Sequence, residues 1–442
     1  MSEDRQKQVT EALSVIIDPD LGKDIVSLGF IKDLSIENGV VTFNLELTTP
    51  ACPVKDRFVQ QCKEELAKLS WVRETRVTLT AQPRGHAAPQ SAAGLKNVNR
   101  IIGVSSCKGG VGKSTIAVNM AYALSASGAK VGLLDADIYG PSLPTLVSTP
   151  GVSGLTQKNG LIAPIEHNGV KLMSFGYAVE EGKAAIMRGP MVSGVINQLA
   201  TTTDWGELDY LVVDMPPGTG DIQLTLTQQL KFDGAVIITT PQKLSFVDVV
   251  KGIQMFDAVQ VPTLAIVENM SYFVCDSCDK QHRVFGEGAL ARLQEQFGIT
   301  NTVEIPLQPE VSGQCDAGTP TVLAAPQSPL AALYQRVADS VVQELQKLVH
   351  NAVLKPTVTF SKKDGIVVKH GDEVIRTVAP ADLRRRCSCA ACRDEFTGDA
   401  ILDPASVSDS IEPVSIRPMG NYAVAIEWSD GHTSSIYPYE KI

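Results

Sequence analysis

The sequence predicts an α/β protein in which a central parallel β-sheet is flanked by a small α/β domain and a mainly β domain. Three patterns lead to this fold class. From about residue 97 to residue 350, short apolar runs such as YLVVDMPP and AVIITTP alternate with helical segments, which is typical of parallel strands buried on both faces. Residues 1–82 combine helical periodicity with a hairpin pattern. Residues 352–442 show strand alternation with Asp-Gly turns.

The domain boundaries follow from the same changes of pattern. We expect a first domain at residues 1–82, a linker at 83–96, a central domain at 97–350 and a last domain at 352–442. The linker is rich in Ala, Pro, Gly and Ser and has no periodicity, which is the composition of a flexible connection. A length of 442 residues agrees with about three domains.

Composition and charge narrow the class of protein. With 44% hydrophobic and 20% charged residues, the chain has the balance of a soluble globular protein. It lacks the ~18 consecutive apolar residues of a membrane span, so we expect no membrane insertion. The net charge of −10 argues against a nucleic-acid partner, because phosphates attract cationic surfaces. Nine clustered cysteines indicate reduced thiols and metal sites rather than a disulfide scaffold.

A phosphate-binding loop is the strongest chemical signal. SSCKGGVGKST, residues 105–115, follows a predicted strand and precedes a predicted helix. Its glycines let backbone N–H groups point at a phosphate, and the helix adds the positive end of its dipole. Lys113 supplies a charge for the β- and γ-phosphates, while Ser114 can ligate Mg²⁺. The predicted nucleotide-binding residues of this loop are Gly109, Gly110, Val111, Gly112, Lys113, Ser114 and Thr115.

Lys108 makes this loop unusual, because it adds a second lysine near the start. Cys107 also stands where the common pattern has glycine. With Lys108, the loop resembles the deviant Walker A family, which includes the nitrogenase iron protein and the septum-positioning ATPases. The resemblance implies a homodimer in which Lys108 reaches the partner's nucleotide and acts with Lys113 as a catalytic residue. A solvated surface lysine is the alternative for Lys108.

Polar residues follow later predicted strands, at the edge of an open α/β sheet where ligands bind. Asp135 and Asp137 lie in LLDADIYGPS, Asp214 and Gly218 in YLVVDMPPGTGD, and Asn269 ends LAIVEN. The resemblance implies that Asp137 positions the attacking water and that Asp214 joins the Mg²⁺ shell. It also implies that Gly218 senses the γ-phosphate and that Asn269 recognises adenine. Asp135 either assists the metal or caps a turn, and a turn residue is the alternative for Asn269.

Cys275 and Cys278 form a C-x-x-C pair that can ligate one metal or one edge of a cluster. A tetrahedral site needs four ligands, and a symmetric dimer supplies two from each chain. Zinc and a redox pair are the alternatives.

Longer motifs from about Ile101 to Pro320 resemble the Mrp/Nbp-type ATPases that carry iron–sulfur clusters. They include RGPMVSGVINQ, DYLVVDMPPGTGDIQLTL and ENMSYFVCDSCDK. The resemblance implies that Cys275 and Cys278 bridge a [4Fe–4S] cluster between subunits of a homodimer that binds ATP and Mg²⁺.

The first domain contains a candidate reactive thiol. LSVIIDPDLGKDIVSLGFIKDL and LTTPACPVKD resemble the MIP18-type domain of iron–sulfur assembly proteins, and Cys52 occupies the position of that domain's reactive cysteine. A thiolate just before a helix gains from the helix dipole. A buried structural cysteine is the alternative for Cys52.

Four residues of the last domain form a candidate zinc site. Cys387, Cys389 and Cys392 lie close together, and His432 follows at the tip of a predicted hairpin. Three thiolates and one imidazole complete a tetrahedral zinc set, with an iron–sulfur site as the alternative. The domain resembles DUF971, which also forms the N-terminal module of γ-butyrobetaine hydroxylase and there binds structural zinc with this spacing.

The order of the three domains resembles that of the plastid iron–sulfur scaffolds of the high-chlorophyll-fluorescence subgroup. We therefore expect an ATPase that assembles or transfers [4Fe–4S] clusters, with upstream cluster donors and apoprotein acceptors as partners. The alternatives are a localisation ATPase and a zinc-containing NTPase switch without a cluster. We expect the chloroplast stroma, in a mature form without a transit peptide, with the cytoplasm as the alternative.

Overall fold

The computed structural model describes most of the chain, and the bounds below refer to that part. The described residues are 2–47, 49–81, 92–152, 154–158, 160–178, 189–218, 220–286, 289–351, 356–371, 373–389, 391–393, 399–419 and 422–442.

The N-terminal unit is a three-stranded sheet with helices packed on one face. Strand β2 alternates between buried and half-buried residues, because successive side chains of a strand point to opposite faces. Its buried side meets Phe58, Cys62 and Leu66, which share one stripe of a helix. β1 and β2 are antiparallel, and β2 and β3 are parallel. The elements are α1 (Ser2–Leu13), β1 (Ile31–Glu37), β2 (Val40–Leu47), α2 (Lys55–Ala67) and β3 (Glu74–Ala81).

The central unit contains an eight-stranded sheet in the order β15-β12-β11-β4-β10-β5-β9-β8. All neighbours in it are parallel except β8 and β9. Two two-stranded sheets, β6-β7 and β13-β14, accompany it. The strands are β4 (Val98–Ser105), β5 (Val131–Asp135), β6 (Thr156–Lys158), β7 (Leu161–Ala163), β8 (Ile165–His167), β9 (Val170–Ser174), β10 (Leu208–Asp214), β11 (Gly234–Thr239), β12 (Thr263–Asn269), β13 (Phe273–Val274), β14 (Gln281–His282) and β15 (Thr302–Ile305).

Helices cover both faces of this sheet, which explains why strands such as β5 and β11 are buried at every position. Ile102 and Val104 face one core together with residues of α3 and α11, whereas Ile101 faces a second core with residues of α5, α7 and α8. The helices are α3 (Lys113–Ala126), α4 (Leu143–Leu146), α5 (Gly189–Thr202), α6 (Asp221–Gln229), α7 (Lys243–Ala258), α8 (Ala289–Phe297), α9 (Pro309–Asp316), α10 (Thr321–Ala324) and α11 (Pro329–Asn351).

In its described residues, the C-terminal unit contains two antiparallel three-stranded sheets and one α-helix. Its core contains Trp428 together with the three cysteines of the predicted zinc set. The elements are β16 (Thr357–Ser361), β17 (Gly365–His370), β18 (Glu373–Val378), α12 (Pro380–Arg385), β19 (Pro413–Met419), β20 (Ala423–Trp428) and β21 (Ser435–Pro438).

The N-terminal unit packs directly against the central unit. Ala51 is 1% exposed and belongs to the core formed by α3 and α11. Beside it, the hydroxyl groups of Thr49 and Tyr210 lie 2.6 Å apart. The Lys55 ammonium donates a 2.6 Å hydrogen bond to the carbonyl of Ser127, after the end of α3. The loop before α2 is therefore a part of the central core.

The C-terminal unit packs against α7 and α8 on the opposite face. Ala423 and Ile436 belong to the second core of the central unit. The Tyr422 ring contacts Phe297 edge to face, and its hydroxyl donates a 2.5 Å hydrogen bond to Asp257.

The fold class predicted from the sequence is confirmed by this architecture. Most of the predicted linker, residues 83–96, lies outside the described residues, and Leu95 at its end is buried in the second core. Within the described ranges, none of the helices has the length and apolar character that a bilayer span requires.

The first prediction concerns the contact between the C-terminal and central units. Tyr422→Phe removes the hydrogen bond to Asp257 and leaves that carboxylate with one donor fewer, which costs about 1–3 kcal/mol for a buried acceptor. Burial and the Asp257 charge raise the pKa of Tyr422, so the phenol stays protonated and donates. Urea unfolding should show an earlier transition for this variant. A transition at the wild-type urea concentration would contradict the prediction.

Candidate nucleotide and metal sites

The phosphate-binding loop connects the end of β4 to the start of α3, as the sequence predicts. Gly112 adopts a φ of +84°, in the left-handed region, and a Cβ atom there would lie 2.2 Å from Nδ2 of Asn269. Glycine is therefore required at this position for two independent reasons. The Ser106 hydroxyl also donates to the carbonyl of Lys108, at 2.8 Å, and closes the start of the loop.

Lys113 and Asp214 form a buried ion pair under this loop. The side chains are 6% and 5% exposed. The Lys113 ammonium also donates to the Ser114 hydroxyl at 3.3 Å, and Ser114 is hydrogen-bonded to Asp214. A carboxylate and a hydroxyl are hard oxygen donors of the kind that Mg²⁺ prefers. Ser114 and Asp214 therefore suit the Mg²⁺ role predicted for them.

Asp135 lies beside Asp214 on the neighbouring strand and acts as a local cap. Its carboxylate accepts hydrogen bonds from the backbone N–H groups of Asp137, Ser142 and Leu143 and from the hydroxyl of Ser174, at 3.0–3.1 Å. Burial and the Asp214 charge raise the pKa of Asp135. Of the two interpretations of Asp135, these bonds favour capping.

Asp137 is half-buried at the same edge of the sheet. One of its oxygens accepts a 3.2 Å hydrogen bond from the N–H of Gly140. It has fewer of the bonds that fix Asp135, and its carboxylate borders the surface. This environment is compatible with the water-positioning role predicted for it.

Gly218 and Asn269 each contact the phosphate loop directly. The N–H of Gly218 donates to the carbonyl of Ser106 at 2.8 Å, with a φ of +105°. The amide of Asn269 donates to the carbonyl of Val111 at 2.9 Å. The structure thus brings both residues to the loop, while adenine recognition by Asn269 and γ-phosphate sensing by Gly218 stay predictions.

Lys108 is held by a residue that the sequence patterns do not single out. Its ammonium lies 3.2 Å from a carboxylate oxygen of Asp248 on α7, and Lys251 lies 3.6 Å from the other oxygen. Asp248 belongs to the motif SFVDVVKGI, but no spacing rule indicates that it faces the loop. The predicted dimer contact of Lys108 would require this ion pair to open.

Cys275 and Cys278 lie in the turn between β13 and β14. The carbonyl of Cys275 accepts a 2.9 Å hydrogen bond from the N–H of Asp279, and its own N–H donates to the carbonyl of Lys280 at 3.0 Å. Cys278 is exposed and Cys275 is half-buried. Hydrogen bonds from the backbone of Ser277 and from Cys278 lower the pKa of Cys275. Two accessible thiols of this kind suit metal ligation.

Cys387, Cys389, Cys392 and His432 converge on one point. Their ligand atoms all lie within 4.8 Å of one another, and this is the one such group of three or more metal-binding side chains in the described residues. Nε2 of His432 lies 3.4, 3.2 and 3.6 Å from the three sulfurs in chain order. The structure thus brings the four predicted ligands together, and a Cys₃His donor set fits zinc.

Neighbouring hydrogen-bond donors stabilise negative charge on the sulfurs of this set, which favours the binding of a metal cation. The buried guanidinium of Arg384 donates to the sulfur of Cys392 at 3.3 Å and to Asp430 at 2.9 Å. A hydrogen bond from Cys387 lowers the pKa of Cys389. Arg384 therefore balances thiolate charge, whereas Arg386, two residues further on, is exposed.

Cys52 lies before α2 but is covered by the central unit. It is 3% exposed, and burial raises its pKa to about 11, although a hydrogen bond with Gln346 of α11 opposes the shift. In this conformation, Cys52 therefore corresponds to the alternative of a buried structural cysteine.

Cys315 has a neighbour that the sequence does not indicate. Its sulfur lies 3.7 Å from the hydroxyl of Thr115 in the phosphate loop.

Three families match successive parts of the chain. Residues 6–79 match the iron–sulfur cluster assembly protein family, and residues 359–442 match the N-terminal domain of γ-butyrobetaine hydroxylase-like proteins. Residues 97–342 match the family described as the NUBPL iron-transfer P-loop NTPases. The chain belongs to the NUBPL-type iron-transfer P-loop NTPases. The family predicted from the motifs is thereby confirmed.

Relatives of this P-loop NTPase match over most of its length. It is 50% identical to the chloroplastic Fe-S cluster assembly factor HCF101 of Arabidopsis thaliana, over 99% of this chain and 82% of the relative. It is 49% identical to the protein of that name from Oryza sativa, over 100% and 83%. An iron-sulfur cluster carrier protein of Synechocystis is 42% identical over 75% and 96%. An ADP-bound nucleotide-binding protein from Archaeoglobus fulgidus is 37% identical over 51% of this chain and 88% of its own, with a TM-score of 0.46.

The second prediction concerns the pH dependence of Cys52. With a pKa of about 11, its thiolate fraction at pH 8 is about 10⁻³, and only the thiolate reacts with alkylating agents. A raised pKa means that the alkylation rate should climb about tenfold per pH unit between pH 7 and 9. Timed iodoacetamide labelling with mass spectrometry measures this rate.

A change at the contact that covers Cys52 provides the comparison. Lys55→Met removes the hydrogen bond to Ser127, so labelling of Cys52 should become faster at every pH. Labelling of wild-type Cys52 at pH 7 as fast as that of a free thiol would contradict its burial.

Proposed function

We propose that this P-loop NTPase assembles [4Fe–4S] clusters, or transfers them to apoproteins, in an ATP-dependent cycle. One observation carries the proposal. The accessible pair Cys275 and Cys278 lies in a hairpin that continues directly from β12, and the last residue of β12, Asn269, contacts the phosphate loop. The proposed cluster ligands and the nucleotide-loop contact thus lie on one continuous segment of the chain. The names of the relatives, an Fe-S cluster assembly factor and an iron-sulfur cluster carrier protein, support this function.

ATP is the nucleotide that this site suits. The loop N–H groups and Lys113 would hold the phosphates, Ser114 and Asp214 would hold Mg²⁺, and Asp137 would orient the attacking water. Mg²⁺ would neutralise charge that develops on the phosphates. Lys113 lies against Asp214, so its ammonium is already at the base of the loop when a nucleotide arrives.

The cluster site needs a second chain, and we propose a homodimer. Each chain offers two thiols, whereas a [4Fe–4S] cluster takes four. ATP would close the dimer through Lys108, and hydrolysis would reopen it. A carrier requires different cluster affinity in these two states, because a ligand shifts an equilibrium only by its differential affinity. Family membership and the accessible thiol pair Cys275 and Cys278 favour this cycle over the localisation ATPase and over a switch without a cluster.

We further propose that the Cys₃His group holds structural zinc, and that the protein works in the chloroplast stroma. The tight convergence of the four ligand atoms supports the first proposal. The chloroplastic designation of the two plant relatives supports the second.

The third prediction tests the cluster and zinc sites with separate variants. After anaerobic reconstitution, the wild-type protein should bind iron and sulfide and one zinc per chain. The double change Cys275→Ser with Cys278→Ser should remove iron and sulfide but keep zinc, since the two sites use different residues. Cys389→Ser should remove zinc but keep iron and sulfide. Metal analysis and absorption near 400 nm distinguish these outcomes.

This experiment also separates the rival functions. Zinc without iron in the wild-type protein would favour the switch that lacks a cluster. The coupling to ATP has its own test, because Lys113→Ala should abolish the effect of ATP on transfer to an apoprotein. Transfer at the same rate with and without ATP in the wild-type protein would remove the coupling.

The fourth prediction concerns the ion pair that holds Lys108. Asp248→Asn should free Lys108 and favour the ATP-bound dimer by up to about fivefold, because partly exposed pairs contribute about 0.2–1 kcal/mol. Light scattering at increasing concentrations of a non-hydrolysable ATP analogue measures the dimer fraction. Lys251→Gln, which removes the second partner of Asp248, should not favour the dimer. A dimer fraction that falls in Asp248→Asn would contradict the assignment.

A further inference from the structure

A charged cluster connects the cysteine hairpin to the strand that contacts the phosphate loop. We define it as Glu268, Ser271, Arg283 and Glu304. Arg283 follows β14 directly, and its two terminal nitrogens lie 2.6 and 3.2 Å from the two carboxylate oxygens of Glu304 on β15. One of these nitrogens also donates to the hydroxyl of Ser271 at 3.2 Å. Two parallel bonds fix orientation as well as distance.

The cluster continues into the buried edge of the sheet. Glu268 is the residue before Asn269, is 1% exposed, and lies in register with Glu304 on the neighbouring strand. The Ser271 hydroxyl lies 2.7 Å from Glu268 and 2.9 Å from Glu304. A hydroxyl has one proton, so it can donate to only one of these carboxylates at a time. The Arg283 guanidinium forms an ion pair with Glu304, and its charge opposes the burial that raises the pKa of Glu268.

The two arms of the cysteine hairpin are attached to the sheet in different ways. The first arm continues from β12, and the N–H of Ser271 donates to the carbonyl of Ile305 at 3.0 Å. The second arm returns through β14, which pairs with β13 over two residues. Arg283 ties the end of that arm back to β15. If the Arg283–Glu304 ion pair were removed, the return arm would keep its two-residue pairing with β13 and would lose this direct link to the sheet.

We infer that Arg283 is a positioning residue that transmits the nucleotide state of the phosphate loop to Cys275 and Cys278. The inference rests on the proposed function and identifies how its two sites communicate. Asn269 touches the loop through Val111, and Glu268 beside it belongs to the charged cluster. A shift of the end of β12 changes the geometry of Glu268 and Glu304, and Arg283 carries that change to the return arm of the hairpin. The spacing of the two thiols then depends on the nucleotide.

The test uses the full-length protein without a cluster. Alkylation rates of Cys275 and Cys278 are measured by mass spectrometry, with and without a non-hydrolysable ATP analogue and Mg²⁺. In the wild-type protein the nucleotide should change the rate at one or both cysteines by about fivefold or more, the usual lower range of coupling between two sites. Arg283→Gln should bring the ratio close to one while nucleotide affinity stays unchanged. Arg283→Lys keeps the charge but loses the fork, and should restore part of the effect.

Two further variants make the experiment specific. Glu304→Gln removes the acceptor charge from the other side and should also reduce the ratio. Arg76→Gln removes a second two-bond pair, formed with Glu74 on the surface of the N-terminal unit, and should leave the ratio at the wild-type value.

Several results would overturn the inference. They are a wild-type ratio of one, a ratio preserved in Arg283→Gln and Glu304→Gln, or an equal loss in Arg76→Gln. A merely structural role of Arg283 would raise alkylation equally with and without nucleotide, and so would preserve the ratio. The proposed function is judged separately, by iron and sulfide binding in the reconstituted wild-type protein. A protein that binds the cluster but shows no nucleotide-dependent alkylation refutes the inference and leaves the cluster site standing.

Discussion

The buried contact between Lys113 and Asp214 is the interaction around which the central unit is organised. It exists because β4 and β10 are parallel neighbours, so the loop that leaves one strand lies over the carboxylate that ends the other. An ammonium removed from water needs a nearby anion, since an unpaired buried charge is strongly unfavourable. The arrangement of the sheet and the position of Lys113 are therefore one constraint rather than two.

Burial also determines how readily each cysteine forms a thiolate. Cys52 and Cys62 are enclosed by apolar side chains, and burial raises their pKa to about 11 and about 12. Cys275 and Cys278 lie in a surface turn, where backbone N–H groups stabilise a thiolate at the first of them. The Cys₃His group combines both conditions, because it is buried yet surrounded by donors. Accessibility and hydrogen bonding, rather than the count of thiols, distinguish the chemical role of each.

The sequence was sufficient for the fold class and for the family, because these depend on local patterns. Apolar runs indicate strands that are buried on both faces. The glycines and Lys113, placed between a predicted strand and a predicted helix, indicate a phosphate-binding loop. Contacts between distant segments could not be obtained in this way. Nothing in the periodicity around Asp248 or Cys315 indicates that they face the loop, since a pattern reports that a residue is half-buried but not which surface covers it. The Arg283 cluster was missed for the same reason, although an arginine directly after a cysteine hairpin was a usable signal.

Ala51 shows how closely the domains depend on one another. This small side chain is a residue of the N-terminal unit, yet it fills part of the core between α3 and α11. A central unit excised at the linker would present an apolar hollow to water at that point. The linker separates the two units along the chain, but the packed core continues from one unit into the other. An isolated fragment of the central unit would therefore differ from the intact protein in the helices that support its phosphate loop.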